Sequence, residues 1–101
     1  MPLVFVIPGA LREFSKGRGE VRLEFAPATA GDGDARTVGD ALRLLWAECP
    51  GARDRVMTER GDVRPHINVF VDGENIRFAG GLDAPVGAGA EIIILPAVSG
   101  G

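Results

Sequence analysis

The side chains that most often do chemistry are scarce in this chain. Its 101 residues contain one histidine, His66, one cysteine, Cys49, and no tyrosine. His66 opens an alternating apolar segment, where a histidine ordinarily sits at a surface or a strand edge. Cys49 closes an apolar helical stripe that begins at Val38, the setting of a buried structural thiol rather than a reactive thiolate. Asp32 and Asp34 share a Gly-rich segment but lack the further oxygen ligands of a calcium site. Gly31-x-Gly33 lacks the strand before it and the helix after it that a phosphate loop needs. Carboxylates are plentiful, yet none is marked as a pair in which one pKa would be raised. No self-contained active site is visible in these residues.

What remains is the end of the sequence, Ala97-Val98-Ser99-Gly100-Gly101. With 15 glycines in the chain, a Gly-Gly pair at one chosen place arises by chance about 2% of the time, so the pair needs support from its position. It lies five residues beyond the last apolar segment. Five extended residues span about 16–18 Å, enough to carry a terminal carboxylate into another protein's cleft. Glycine suits such a task because a backbone without Cβ threads a narrow channel and adopts any φ. The competing reading is a frayed terminus.

The elements that must position this tail are legible in outline. Residues 3–7 form a continuous apolar run, as in a strand covered on both faces, and Pro8-Gly9 interrupts it. Val21, Leu23 and Phe25 alternate with Arg22 and Glu24, the period of a half-buried strand, so the two segments read as an N-terminal hairpin. Residues 26–36 are rich in Pro, Ala, Gly and Asp and read as a flexible loop. Thr37 is placed to cap a helix, with Asp40 in the capping-box position. Val38, Ala41, Leu42, Leu45, Trp46 and Cys49 then fall on one helical stripe, which Pro50-Gly51 is expected to stop. A short helical turn is expected over 53–59. Ile67, Val69 and Val71 alternate with His66, Asn68 and Phe70 in a third strand, and Asp72-Gly73 is a hairpin-turn signal. Residues 76–78 are expected as a short fourth strand and 92–95 as the last, ended by Pro96. One helix crossing one face of a small mixed sheet of four to five strands is an α+β roll.

Bulk properties narrow the partners. A 101-residue chain with 46% hydrophobic and 25% charged residues is expected to be one globular domain. A net charge of −3 without a basic patch argues against nucleic acid and suits a basic protein partner. The single cysteine excludes an internal disulfide. The N-terminal apolar segment lacks a basic leader and no run is long enough for a membrane span, so a cytoplasmic protein with no membrane partner is expected.

Taken together, several segments resemble the sulfur-carrier family that includes MoaD and ThiS. These are Pro8-Gly9-Ala10-Leu11-Arg12-Glu13, the helix over 37–49 with its Pro50-Gly51, Asn68-Val69-Phe70-Val71-Asp72-Gly73-Glu74, Gly80-Gly81-Leu82, and Ile94-Leu95-Pro96-Ala97-Val98-Ser99-Gly100-Gly101. Ile76-Arg77-Phe78-Ala79-Gly80-Gly81-Leu82 is more similar to the CysO type, the carrier of a cysteine-biosynthesis route, than to typical MoaD proteins. The resemblance implies a ubiquitin-like β-grasp domain over 1–96 and a flexible tail over 97–101. It implies that a ubiquitin-activating-like (E1-like) enzyme spends ATP to adenylate Gly101, after which sulfur displaces AMP and leaves a thiocarboxylate for a downstream sulfur-accepting synthase. Gly100, Ser99 and Val98 would thread the partner's channel. The chain itself would bind no cofactor and no metal and would act as carrier, not as enzyme. The family also docks through an apolar patch on the open sheet face. Here, by alternation, that patch is Val4, Val6, Pro8, Phe70 and Leu95.

Two other readings stay open. A ubiquitin-like modifier would share the activation step; Lys16 is the only lysine, so self-linked chains would form only there or at the N-terminus. A plain β-grasp binding module would carry an inert tail.

Overall fold

The computed structural model describes residues 2–25 and 36–96. Residues 26–35 of the expected loop over 26–36, and the tail residues 97–101, lie outside the described residues. Strand β1 (Leu3–Val6) leads into a 3₁₀ helix over Gly9–Ser15 and returns as β2 (Glu20–Leu23). Helices α1 (Val38–Glu48) and α2 (Pro50–Val56) follow, then β3 (Ile67–Val71) and β4 (Glu74–Asn75). Short 3₁₀ turns over Ile76–Phe78 and Gly81–Asp83 precede β5 (Glu91–Pro96).

The five strands form one sheet in the order β2-β1-β5-β3-β4. The two hairpins and the β3–β5 pair are antiparallel, whereas β1 and β5 run parallel. The last strand thus lies at the centre, held on one side by β1 and on the other by β3. This mixed sheet with its helices is the β-grasp arrangement that the resemblance implies.

One face of the sheet makes the core. Leu3, Phe5 and Ile7, Val21, Ile67 and Val69, and Ile92 and Ile94 are buried against Val38, Ala41, Leu42, Leu45 and Cys49 of the α1 segment and Ala52 and Val56 of α2. Trp46 is only partly buried at the margin of the core. Alternation therefore corrects the reading of residues 3–7 as covered on both faces: Val4 and Val6 are half-buried while their neighbours are sealed.

Two further expectations change. Pro50-Gly51 ends α1 but at once starts α2, with Pro50 in the first turn; a proline there loses no hydrogen bond and its fixed φ is already helical. Of the expected turn over 53–59, residues 53–56 belong to this helix, which begins earlier, whereas Met57 is already extended. Residues 76–78 are not a strand. The Asn75 side chain accepts from the Arg77 N–H and the Ala79 N–H donates to Ile76 O, which closes a 3₁₀ turn while Ile76 still reaches the core. No helix among the described residues is long and apolar enough to cross a membrane.

Candidate functional site: the open sheet face and the root of the tail

The face of the sheet away from the helices is built row by row from the strand register. Val6 pairs with Glu20 and Ile93, Ile93 with Phe70, and Phe70 with Asn75. Next to this row Val4 pairs with Arg22 and Glu91, and Leu95 with Asn68. Residues paired across strands share a face, so Val4, Val6, Ile93, Phe70 and Leu95 form one apolar patch across three strands. Four of them are half-buried and Leu95 is 44% exposed. Pro8, just beyond β1, is half-buried as well. Polar pairs frame the patch: Arg22 Nε to Glu20 Oε1 at 2.9 Å on one edge, and Asn75 Nδ2 to Asn68 Oδ1 at 3.2 Å on the other. The structure adds Ile93 to the sequence-derived set. Its signal was the alternation that already placed Leu95, two residues on in the same strand.

At one end of this sheet the tail begins. Pro96 is the last residue of β5 and lies opposite Ile67, the first of β3. A cleft of about 250 Å³ opens beside it, lined by Ala10, Leu11, Glu13, Phe14, Arg55, His66, Ile67 and Pro96. Arg55 is held over the Phe14 ring at 5.4 Å, a cation–π contact. Close approach of α2 makes this possible. A Cβ on Gly51 would stand 2.6 Å from Phe14 Cδ1, so a larger residue there would force the Phe14 ring or the helix to shift. Val98, Ser99, Gly100 and Gly101 lie outside the described residues.

The remaining chemistry-bearing residues are separated. Cys49 is 1% exposed, with Arg18 Nη2 at 4.0 Å from its Sγ. His66 is exposed at the start of β3. Asp32, Asp34, Gly31 and Gly33 lie outside the described residues. Among the described residues no group of three or more His, Cys, Asp or Glu is arranged to hold a metal ion. What the described body offers is a last strand paired on both sides and an apolar surface on the open sheet face.

The ThiS family model matches residues 6–101. The sulfur carrier protein CysO of Mycobacterium tuberculosis is 32% identical over 103 residues, covering 100% of both chains. Small archaeal modifier protein 1 of Haloferax volcanii is 44% identical over 70 residues, 69% of this chain and 75% of that one. Among solved structures, the Amycolatopsis orientalis BexX/CysO complex superposes with a TM-score of 0.78 at 33% identity, over 98% of this chain and 99% of the matched chain. A β-grasp body, a central last strand and a family match that runs through the final glycine pair place the chain in the ThiS family, the ubiquitin-like proteins that include CysO sulfur carriers and small archaeal modifiers.

Proposed function

We propose that this chain is a sulfur carrier whose working group is the carboxylate of Gly101. The observation that carries the reading is the family match running to residue 101, which includes the Gly-Gly pair in the matched region. A carboxylate is a poor electrophile. A carboxylate oxygen that attacks the α-phosphorus of ATP releases pyrophosphate and gives an acyl adenylate, whose AMP is a good leaving group. Hydrosulfide then attacks the acyl carbon, the C–O bond to AMP breaks, the S–H proton is lost to solvent, and a thiocarboxylate remains. An E1-like partner supplies the ATP chemistry, and the chain binds no cofactor of its own. Val98, Ser99 and Gly100 thread the partner's channel, and Val4, Val6, Pro8, Phe70, Leu95 and Ile93 form its docking patch. A sulfur-accepting enzyme then takes the sulfur in the cytoplasm. Full-length similarity to CysO favours cysteine as the product.

The test is an intact-mass spectrum of the chain isolated from its native cells, with fragmentation to locate any change. One oxygen replaced by one sulfur at Gly101 is expected. A plain carboxylate in every growth condition, with no ATP-dependent activation, overturns the proposal. The 44% identity to a small archaeal modifier supports a second reading, attachment of Gly101 to amines of other proteins. An immunoblot ladder that disappears when Gly101 is removed would favour it.

A further inference from the structure

The sheet lets go of its last strand on one side before that strand ends. In a parallel ladder a residue bonds to the two residues that flank its partner. Val4 pairs with Glu91, and its N–H donates to Ala90 O at 3.0 Å. Val6, paired with Ile93, takes the next step, at Ile92 and Ile94. The step after that falls to Pro8. It would run from Pro8 N to Ile94 O and from Pro96 N to Pro8 O, and neither nitrogen carries a hydrogen. Pro8 is otherwise placed to continue the strand: its φ of −68° and ψ of 155° are still extended, and the 3₁₀ helix begins only at Gly9. Two prolines thus meet at the one step where both donors are needed, and Leu95 and Pro96 are paired to β3 alone.

The β3 side closes soon afterwards. The Asp72 N–H donates to Glu91 O, which sets the hydrogen-bonded positions of β3 at 72, 70 and 68 and, in the same period of two, at 66 and 64. At Arg64 both backbone groups are spent. Its N–H donates to Val56 O at 2.8 Å, and its carbonyl accepts from Ile67 N at 2.9 Å and from Arg77 Nη2 at 3.2 Å. The same Arg77 nitrogen donates to the carbonyls of Pro65 at 2.9 Å and Ile67 at 2.7 Å, which fastens this turn. Beyond Pro96 the two neighbouring strands therefore offer one further ladder position, His66. A strand end bonded on both sides moves only with the sheet, whereas an end bonded on one side opens locally at much lower cost.

Resting on the sulfur-carrier reading above, we propose that Pro8 is a positioning residue for adenylation: opposite Pro96 it ends the β1–β5 ladder at Ile94, so that the one-sided root of the tail can bend toward the ATP site of the activating enzyme.

Pro8→Val, Pro96→Val and the double variant restore the missing donors and keep both side chains apolar. Pro8 O already accepts from Leu11 N at 2.9 Å, and a carbonyl can accept a second bond. Hydrogen exchange on the free carrier reads the new amides at positions 8 and 96. ATP–pyrophosphate exchange with the activating enzyme reads kcat and the KM for the carrier. In the double variant both new amides are expected to be protected, and kcat to fall about tenfold at unchanged KM. That is the effect of one net hydrogen bond that must open before the carboxylate reaches ATP, with the docking face intact. Should the double variant fail to fold, Pro96→Val alone carries the same test through its one bond to Pro8 O. Protected amides with an unchanged kcat overturn the inference, because the root then has no need to bend. Unprotected amides overturn it too, since the prolines would not be what ends the ladder. So does a raised KM at unchanged kcat, which would make Pro8 a docking residue only. A wild-type chain that no enzyme adenylates removes the sulfur-carrier reading itself, a result distinct from these.

Discussion

Thr37 and Asp40 exchange two hydrogen bonds at the start of α1: Asp40 N donates to Thr37 Oγ1 at 3.2 Å, and Thr37 N donates to Asp40 Oδ2 at 3.0 Å. The bond from the Thr37 backbone holds the Asp40 carboxyl below its ordinary value of 3.8, against partial desolvation and with help from the Thr37 hydroxyl, Arg43 and Arg36. A folded-state pKa below the unfolded one stabilises the fold fully above the ordinary value, and the contribution is lost as pH falls through the folded value. Thr37→Ala is expected to cost about 1 kcal/mol in urea unfolding. Asp40→Asn should be less stable than wild type at neutral pH, with the gap closing as pH falls below the ordinary carboxyl value and through the lower folded-state one. A gap that persists in acid would assign the loss to shape rather than charge. On the open face, Val6→Asp and Leu95→Asp should each leave the thermal melt nearly unchanged but weaken binding of the activating enzyme by at least about tenfold, as removal of an apolar anchor does. Equal affinity for both variants and wild type would remove the patch from partner docking. The cap and the buried Cys49 were legible because each depends on neighbours within one helix. Arg77 was not, because its three carbonyl partners lie 10 to 13 residues away in sequence, and no local pattern announces them.

The β3–β4 hairpin shows what a single element contributes. Asp72 and Gly73 have φ of 49° and 87°, the two positive values that a tight two-residue hairpin turn requires. Asp72 also clasps the central strand: its N–H donates to Glu91 O, and its Oδ1 accepts from Glu91 N at 2.9 Å. No atom would stand within 4 Å of a Cβ on Gly73, so its replacement is opposed by backbone conformation alone. Gly73→Ala is expected to lower stability by about 1 kcal/mol with no change in the extent of tail loading. A loss of loading without a loss of stability would mean that the hairpin tip touches a partner. This turn was plain in the sequence because Asp-Gly between apolar runs has few other solutions. The run over 76–78 was ambiguous for the opposite reason. Three residues are too few to show a period, and a side-chain cap from Asn75 decided between strand and 3₁₀ turn. Pro50 was likewise read as a stop, although the same proline that ends one helix suits the first turn of another.

At the scale of the whole molecule the decisive feature is the parallel pairing of β1 with β5, which joins the two ends of the chain in the middle of the sheet. Alternation revealed both strands, but not that they are neighbours. The resemblance implied the arrangement, and the register makes it explicit. Its consequence is mechanical. Pro96 ends a strand held on both sides, so on the proposed function the number of residues from there to Gly101 sets how far the carboxylate reaches. Deleting Gly101 withdraws that group by about 3.3–3.6 Å, and a misplacement of about 1 Å can cost on the order of 100-fold in rate. Deletion of Gly101, or one residue added after it, is therefore expected to abolish adenylation while leaving the melt unchanged. Deleting Ser99 while keeping Gly100 and Gly101 separates length from identity: a tail read by its length loses activity here too, whereas a tag read only by its last two glycines does not. ATP–pyrophosphate exchange with the activating enzyme measures all three variants. Retained exchange after Ser99 deletion would place the recognition in the glycines themselves and leave the length of the tail without a role in activation.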